Sequence, residues 1–538
     1  MDEKKGPWNM PNSRALSMSS FNLSHERKMS GQLGKLYPAL IMDCIPGDSI
    51  NIDLAALVRF QPLVAPPMHA VRIRTYGFFV PYRLLWPREE LSDSGSWEEF
   101  ITRGKDGTSL LTPPIWQPAG SPEVQKGTLW DYFGLPTGII PPVEACPLDF
   151  PRRAYNFIWN EWFRDQDLQN PVALDQTDIL RINWDRDYFT SARPFQQRGT
   201  APAFPLQSII ADFPESANTT HVGVTMTVPG TVSGTGPYTA FNPADDAFKW
   251  FYVPAGAIPS ARISDGSGKS AFDNIWSTVF EAMSAADIND VRYMIQLQVL
   301  QELLARSGVR YTEFLRAVYG VAPTDARLDR PEFIGSTVDD VLFSEVLQTA
   351  EGSEPVGTMA GHGISTQSGF LGRYTVQEHG LLMVMTVVTP KPAYQDGIQR
   401  WLLKRSFADF YFPEFAGLSE QEVWNAELCT LPATQDADGS INRDIFGFQG
   451  RYDEYRSMSS SIAGDFRDTF DYWHFSRQFT PTAADMPVLD EDFVQCVPRL
   501  DPFAVQTGDH LLMAIGFHMR ALRPLPPRGI PASLFTRI

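Results

Sequence analysis

The sequence predicts a mainly β protein, and two observations lead to that prediction. Chain breakers are abundant, with 39 Gly and 43 Pro among 538 residues, which favours many strands and long loops over a helical bundle. Apolar and polar residues also alternate in runs near both ends of the chain, as they do in half-buried strands. Because the chain exceeds the usual domain size, we expect two or three domains, or one core with large insertions.

The first strands are expected between residues 31 and 86. Apolar, β-branched and aromatic runs are separated there by turn signals such as PGDS at 46–49, as in strands joined by loops. The run VRIRTYGFFV at 71–80 alternates cleanly and places Arg72 and Arg74 on the same face. We expect this arginine face to meet solvent or another subunit.

The first helix is expected at FPRRAYNFIWNEWFRD, residues 150–165. Pro151 can occupy its first turn, and Ala154, Ile158 and Trp162 form a broad apolar face at helical spacing. Aromatic side chains have large burial energies, and no polar groups converge with these. We therefore expect a core helix rather than a cofactor site.

The middle of the chain combines a polar insertion with a long helix. Residues 207–284 are rich in Ser, Thr, Gly, Pro and Asn, which predicts exposed short strands and loops. We expect this insertion either to form a recognition surface or to be an exposed insertion without a function of its own. The region after it is strongly helical, with Gly308 as its stop signal. Its apolar stripe consists of Ile288, Val291, Ile295, Val299 and Leu303.

Strands return after residue 355, in TVQEHGLLMVMTVVTP and finally in GDHLLMAIGFHMRALRPLPP. We expect the first and last strands to close one sandwich, with helices and loops inserted between them. The predicted segments are an N-terminal arm at 1–35, the first part of the core with loops and a helix at 36–206, the exposed insertion at 207–284, and a helical insertion with the rest of the core at 285–538.

The charge of the chain restricts its contacts with nucleic acid. The formal net charge is -18 and the pI is about 4.9, so the whole chain repels phosphate and any DNA contact has to be local. The N-terminal arm has the opposite balance, and its predicted DNA-proximal residues are Arg14, Arg27, Lys28 and Lys35. The alternative is an ordinary solvated terminal arm.

The sequence contains no motif typical of catalysis or of metal binding. Patterns for phosphate loops, nucleophile elbows, zinc proteases and EF-hands are absent, and the four cysteines form no CxxC or Cys/His cluster. Glu378 lies beside His379, but adjacent strand residues point to opposite faces. We expect no enzyme activity, no cofactor and no metal site. The apolar runs are too short to span a bilayer, so membrane insertion is not expected either.

The stretch FGFQGRYDEYRSMSSSIAGDFR, residues 446–467, fits neither an alternating strand nor an amphipathic helix. Its alternation of rings and charges suits a loop fixed by ion pairs and by stacking against a neighbouring subunit. The predicted interface residues are Arg451, Tyr452, Tyr455 and Arg456. The alternative is a loop that stabilises its own subunit.

Several long blocks of the chain are familiar from one family. They include FNLSHERKMSGQLGKLYP at 21–38, GDSINIDLAALVRFQPLVAP at 47–66 and DYFTSARPFQQRG at 187–199, and they continue in the same order to about residue 527. These blocks resemble the major capsid protein of the microviruses, specifically of the gokushovirus branch. The chain departs from that family at SMSSSIAGDFR, residues 457–467, where its members have aromatic, basic and proline residues.

The resemblance implies an eight-stranded antiparallel jelly roll with long inserted loops and a few helices. It further implies a T=1 icosahedral shell around circular single-stranded DNA, assembled in the host bacterial cytoplasm, with a small basic DNA-binding protein as a partner. The insertion at 207–284 would then form protrusions at the threefold axes and attach to a host receptor. Two alternatives stay open, a carbohydrate-binding or carbohydrate-hydrolysing jelly roll and a receptor-binding fibre or spike.

Overall fold

The fold is described from a computed structural model of the chain. It describes residues 18–87, 95–102, 111–116, 124–200, 288–307, 313, 316–317, 324–347 and 359–527. The chain divides into two compact units, one formed by Met1–Gln196 with Ala305–Ile538 and the other by Gln197–Leu304. The predicted insertion at 207–284 lies outside the described residues, and the predicted segment boundaries stay predictions.

Twelve strands are assigned in the described residues. They are β1 (Ser19–Asn22), β2 (His25–Gly31), β3 (Tyr37–Cys44), β4 (Ser49–Phe60), β5 (Val71–Pro81), β6 (Glu332–Asp340), β7 (Leu342–Leu347), β8 (Met359–Thr375), β9 (Gly380–Pro390), β10 (Glu420–Trp424), β11 (Ile445–Gly450) and β12 (Leu511–Arg523). All of their pairings are antiparallel, which agrees with the predicted mainly β class.

The larger sheet has six strands in the order β1–β12–β4–β8–β7, and β2 pairs with β12 as well. Both β1 and β2 lie along the same edge of β12, with Phe21 opposite Ala521 and Lys28 opposite Ala514. The last strand therefore lies between the first strands and β4. This arrangement agrees with the prediction that strands distant in sequence come together.

The second sheet has four strands in the order β3–β9–β5–β6, and β10 and β11 form a separate pair. All eleven residues of β9 are buried. A strand can be buried throughout only when both faces of its sheet are covered. Side chains from both faces of β9 belong to the core cluster, and the helix α4 (Phe150–Ile158) contacts the strand.

The main core joins side chains of both sheets, as in a β-sandwich. Ile52 and Leu54 of β4, Ile515 of β12 and Leu382 of β9 belong to one buried cluster. At the edge of the sandwich β6 approaches β8 so closely that a Cβ atom at Gly335 would lie 2.0 Å from the Leu371 carbonyl oxygen. Glycine is therefore required at this position.

Among the described residues, the α-helices are short except for one. They are α1 (Tyr82–Leu85), α2 (Trp97–Thr102), α3 (Leu129–Phe133), α4 (Phe150–Ile158), α5 (Ile288–Ser307), α6 (Asn425–Leu428), α7 (Ser440–Arg443) and α8 (Glu491–Val494). As predicted, α4 starts with a proline in its first turn, and it continues into a π-helical turn at Trp159–Phe163. The predicted stop at Gly308 lies outside the described residues.

The arginine face of β5 is covered over most of its length by the same chain. Arg74 forms a two-pronged ion pair with Asp185, and the Tyr76 ring lies 5.3 Å from the ring of Phe163. Only the outer end of the strand faces solvent, where Arg72 pairs with an exposed carboxylate. The prediction that this face meets solvent or another subunit is therefore wrong for Arg74.

Candidate subunit interface

The stretch at 446–467 begins in β11 and continues as a 3-10 turn at Asp453–Tyr455. Between these two elements Tyr452 has a φ of 64°. This left-handed conformation is unusual for a bulky residue and requires support from its surroundings. The support includes a hydrogen bond, because the Tyr452 N–H donates to Gln421 Oε1 at 3.1 Å.

Tyr452 and Arg451 hold the neighbouring segment 407–412 in place. The Tyr452 hydroxyl donates to the carbonyl oxygen of Phe410 at 2.8 Å, and Tyr452 is only 2% exposed. Arg451 Nη2 donates to the carbonyl oxygen of Ala408, and its guanidinium lies 4.8 Å from the centre of the Tyr452 ring. Both side chains therefore stabilise a loop of their own subunit.

A shielded ion pair also holds the 3-10 turn at Asp453–Tyr455 in place. Lys404 Nζ lies 3.3 Å from Glu454 Oε1, and these side chains are 5% and 7% exposed. Lys404 also donates to the Tyr455 hydroxyl at 2.7 Å, and Gln421 Nε2 donates to Glu454 Oε2 at 2.8 Å. Because both charges are paired and hydrogen-bonded, the turn is fixed rather than loosely solvated.

Large apolar side chains are exposed around this turn. Tyr411 and Tyr455 stack edge to face at 6.1 Å, and Lys404 lies over the rings of Tyr455 and Phe410. An exposed apolar patch of this kind on a fixed loop is typical of a protein–protein contact. We define the aromatic patch as the following residues, which are between 53% and 85% exposed: Trp401, Leu402, Phe407, Phe410, Tyr411, Tyr455 and Met458.

A cavity of about 420 Å³ opens beside the aromatic patch, and Trp401 and Met458 contribute to its wall. On its lining Gln395 is only 7% exposed, and its Oε1 has no hydrogen-bond partner among the described residues. Arg400 pairs with Glu427 at 2.6 Å in the same wall, and burial raises the pKa of Glu427 against the opposing effect of Arg400. The cavity therefore has room for a side chain of a neighbouring molecule, although Gln395 Oε1 itself is shielded from the open space.

The four predicted interface residues fall into two pairs. Arg451 and Tyr452 point into their own subunit, as described above. Tyr455 is 59% exposed, and the Arg456 side chain is 58% exposed with a loose ion pair to Asp453 at 3.6 Å. Only Tyr455 and Arg456 are free to touch a neighbour directly.

Sequence reasoning missed the larger part of the aromatic patch, which lies in RWLLKRSFADFYFPEFAGL, residues 400–418. The signal that could have found it is the density of aromatic residues without strand or helix periodicity. The segment folds into short 3-10 turns such as Phe407–Asp409 and Pro413–Gly417. Turns this short cannot bury all of their side chains, so several rings stay exposed.

The predicted DNA-proximal residues do not form one surface. Arg14 lies outside the described residues. Arg27 points inward and donates to the carbonyl oxygens of Ala39 and Tyr132, and burial lowers its pKa. Lys35 is half-buried, and burial together with a neighbouring arginine lowers its pKa. Lys28 alone is freely exposed, at 80% for its side chain.

The described residues offer no arrangement suited to catalysis. The nearest candidate is Ser476, whose hydroxyl lies 2.7 Å from His474 Nδ1. Both residues are at most 1% exposed, and the other ring nitrogen of His474 is bonded to a carbonyl oxygen. Glu378 is engaged by Arg83 at 3.1 Å instead of acting with its histidine neighbour.

Metal binding and membrane insertion are not indicated in the described part of the chain. No three His, Cys, Asp or Glu side chains in it are grouped so that they could hold a metal ion. None of its helices has the length and apolar character needed to cross a bilayer.

Comparison with known proteins agrees with the resemblance seen in the sequence. A family model described as "Capsid protein (F protein)" matches residues 9–533. The chain is 31% identical to capsid protein VP1 of Bdellovibrio phage phiMH2K, over 96% of this chain and 95% of the relative. It is 29% identical to VP1 of Chlamydia phage 1 and 30% identical to VP1 of Spiroplasma virus 4, over 95% of both chains in each comparison. The chain therefore belongs to the F family of phage capsid proteins, which are structural proteins and not enzymes.

Proposed function

We propose that the protein is the major capsid protein of a gokushovirus-type phage and assembles into a T=1 icosahedral shell around circular single-stranded DNA. Family membership already implies that copies of the chain form a shell and that the protein is part of the virion. The shell geometry, the nucleic acid inside it and assembly in the host bacterial cytoplasm are the proposed additions.

The strand order is the observation that carries this proposal. The order β2–β12–β4–β8 in one sheet and β3–β9–β5–β6 in the other fits an eight-stranded jelly roll, the architecture of many viral capsid domains. In this assignment β1 and β7 are additions to the eight strands. Long connections between strands then provide the several different surfaces that a closed shell requires.

The aromatic patch is proposed as a contact between subunits, with Tyr455 and Arg456 touching the neighbour and Arg451 and Tyr452 holding the loop. Aromatic rings and arginine are frequent anchors of protein interfaces. The cavity beside the patch is proposed to receive a side chain of that neighbour.

The charge of the chain supports a proposal about partners. Subunits of charge -18 cannot neutralise a packaged polyanion by themselves. We therefore propose a separate small basic protein inside the shell. Residues 207–284 are proposed to form the threefold protrusions and to contact a host receptor.

The test of this function is expression of the chain with and without a small basic protein, followed by sedimentation and negative-stain microscopy. Closed spherical particles of uniform size are the expected result. A persistent monomer that binds or cleaves a sugar would support the carbohydrate alternative, and an elongated trimer would support the spike.

The contact at the aromatic patch has a separate test. Arg456→Ala is expected to impair particle formation while leaving the melting temperature of the subunit unchanged. Tyr452→Phe is the matched variant. It removes the hydrogen bond from the Tyr452 hydroxyl to the Phe410 carbonyl oxygen inside the subunit, so it is expected to lower the melting temperature of the subunit. Normal particles from Arg456→Ala would leave only the role of a loop that stabilises its own subunit.

A further inference from the structure

The outer face of the six-stranded sheet is not covered by any described part of the chain. Buried residues alternate with solvent-accessible ones along β4 and along β12 up to Ala521, and the accessible ones form this face. The middle of the face is flat, because Gly516 lies opposite Ala55, which in turn lies opposite Ser368. Small side chains of this kind leave room for a flat or extended partner.

The charge of this face is opposite in sign to that of the chain. Its cations come from four different strands, and its carboxylates are fewer. The cations are Lys28, Arg59, Arg373 and Arg520, and the carboxylates are Glu26 and Asp53. In a chain of charge -18, this face is a local region that attracts anions.

The cations lie at the two ends of the flat region. Lys28 and Arg59 border a shallow hollow. Farther along β12, Arg520 and Arg373 flank Asn51 from opposite sides. Arg520 lies six positions after Ala514 in β12, and Ala514 is opposite Lys28. This separation corresponds to roughly 20 Å. The spacing suits an extended anion with several charges rather than a single small ion.

These cations are free to bind a ligand. Among the described residues Arg59 and Arg520 have no carboxylate partner, and Arg373 only approaches Ser49 Oγ at 3.4 Å. Lys28 has one loose pair at 3.9 Å, with both side chains more than half exposed. Such pairs contribute little energy and are easily exchanged.

An exposed aromatic ring lies between the two ends. Phe370 is opposite Asp53 on the same face, and it is 59% exposed. Phosphate contacts combined with an aromatic ring on which bases stack are typical of proteins that bind single-stranded nucleic acid. An acidic protein partner would account for the cations but would not require the ring.

We propose that this outer face, with Arg59, Arg373, Arg520 and Lys28 as phosphate contacts and Phe370 as a stacking ring, binds single-stranded DNA. The inference deepens the proposed function and rests on it, because the bound DNA is taken to be the packaged genome. It places the DNA contact on side chains from four strands. Of the four cations predicted from the N-terminal arm, it retains only Lys28.

The test is binding of a fluorescent oligo(dT) to the full-length protein, measured by anisotropy over a series of low salt concentrations. The variant combining R59S, R373S and R520S is expected to bind about tenfold more weakly or worse. Its slope of log affinity against log salt is expected to fall by about 2, because each phosphate contact to a single strand contributes about 0.7. Phe370→Ala is expected to weaken binding about fivefold or more without changing that slope.

Arg520→Ser and Arg327→Ser form a matched pair of controls. Arg327 is an exposed arginine in the 3-10 turn Asp325–Leu328, away from this face, and its replacement makes the same change in net charge. Equal affinities for these two variants would overturn the proposal. Absence of binding by the unchanged protein at low salt would overturn it too.

Two further outcomes separate this proposal from its alternatives. If poly-glutamate binds as tightly as oligo(dT) and Phe370→Ala has no effect, the face binds an acidic protein and the DNA proposal is wrong. Particle formation by the triple variant is measured in parallel. Closed shells that bind DNA as well as the unchanged shells would refute this inference alone, whereas a failure of the unchanged protein to form shells would refute the proposed function.

Discussion

The two sheets of the sandwich differ in what lies on their outer faces. On the four-stranded sheet, Arg74, Tyr76 and Phe78 of β5 contact Asp185, Phe163 and Trp162 of the same chain. On the six-stranded sheet, the outer side chains of β4 and β12 contact no such layer in the described residues. The described residues thus cover one face and leave the other open to a partner.

The amino-acid pattern of each sheet corresponds to this difference. The central strand β9 reads GLLMVMTVVTP and is buried throughout, whereas β12 reads LLMAIGFHMRALR and is buried at every second position up to Ala521. A continuous apolar run requires cover on both faces, and an alternating run requires it on one face only. The difference therefore gives a way to predict which substitutions affect folding and which affect partners.

The largest expected effect is the loss of an aromatic ring from the covered face. Trp162 packs against Phe78 at 5.4 Å and donates its Nε1–H to the Pro331 carbonyl oxygen at 3.0 Å. Trp162→Ala is therefore expected to lower the free energy of unfolding by about 3 kcal/mol. Phe370→Ala on the outer face of the six-stranded sheet, from here on the bare face, is the matched variant, with an expected loss below about 1 kcal/mol. Urea denaturation measures both, and equal losses would contradict the comparison.

The two arginines of β5 give a second, smaller test. The Arg74 and Asp185 side chains are 15% and 23% exposed, whereas those of Arg72 and Asp340 are 41% and 69% exposed. Asp185→Asn is expected to cost about 2 kcal/mol, because it leaves a shielded guanidinium without its charge partner. Asp340→Asn is expected to cost less than about 0.5 kcal/mol. Thermal melting of the two variants at equal salt measures both losses. Because both substitutions remove the same charge, a larger loss for Asp185→Asn would show that burial of the ion pair determines its contribution to stability.

Sequence reasoning was accurate where the signal is local. The apolar face of α4 was predicted from helical spacing, and Ala154 and Ile158 are fully buried. The alternation in β5 was also recognised, since Val71 and Ile73 are buried. Local periodicity determines which side of an element is apolar, and a single sequence contains that information.

Sequence reasoning failed where the partner is distant. Nothing near Arg74 indicates that it pairs with Asp185, 111 positions away, so its face was assigned to solvent or another subunit. The bare face contains Lys28, Arg373 and Arg520, which lie on three strands that are distant in sequence and are brought together only by the sheet topology. The prediction for the N-terminal arm relies on proximity in sequence, and the fold separates the members of the arm by turning Arg27 inward.

A third test concerns the free energy that it costs to bury a charged side chain. Glu332 on β6 is partly buried, and burial raises its pKa above the ordinary value. A carboxyl with a raised folded pKa stabilises the fold below its unfolded pKa, and this contribution is lost as the pH rises through the folded pKa. Glu332→Gln is therefore expected to be more stable than the unchanged protein at pH 8, by less than about 1 kcal/mol. The advantage should disappear near pH 4, and an advantage independent of pH would contradict this account.

The smallest effect on stability is expected at the centre of the bare face. A Cβ atom at Gly516 would meet nothing closer than the Ala55 carbonyl oxygen at 3.4 Å, and the side chain would project outward between Ala55 and Glu26, the residues opposite Gly516 on the two neighbouring strands. Gly516→Leu is therefore expected to change the free energy of unfolding by less than about 0.5 kcal/mol. The same side chain interrupts the flat surface between the two groups of cations, so oligo(dT) binding should weaken severalfold although no charge has changed. Unaltered binding would mean that the partner does not cross the middle of this face.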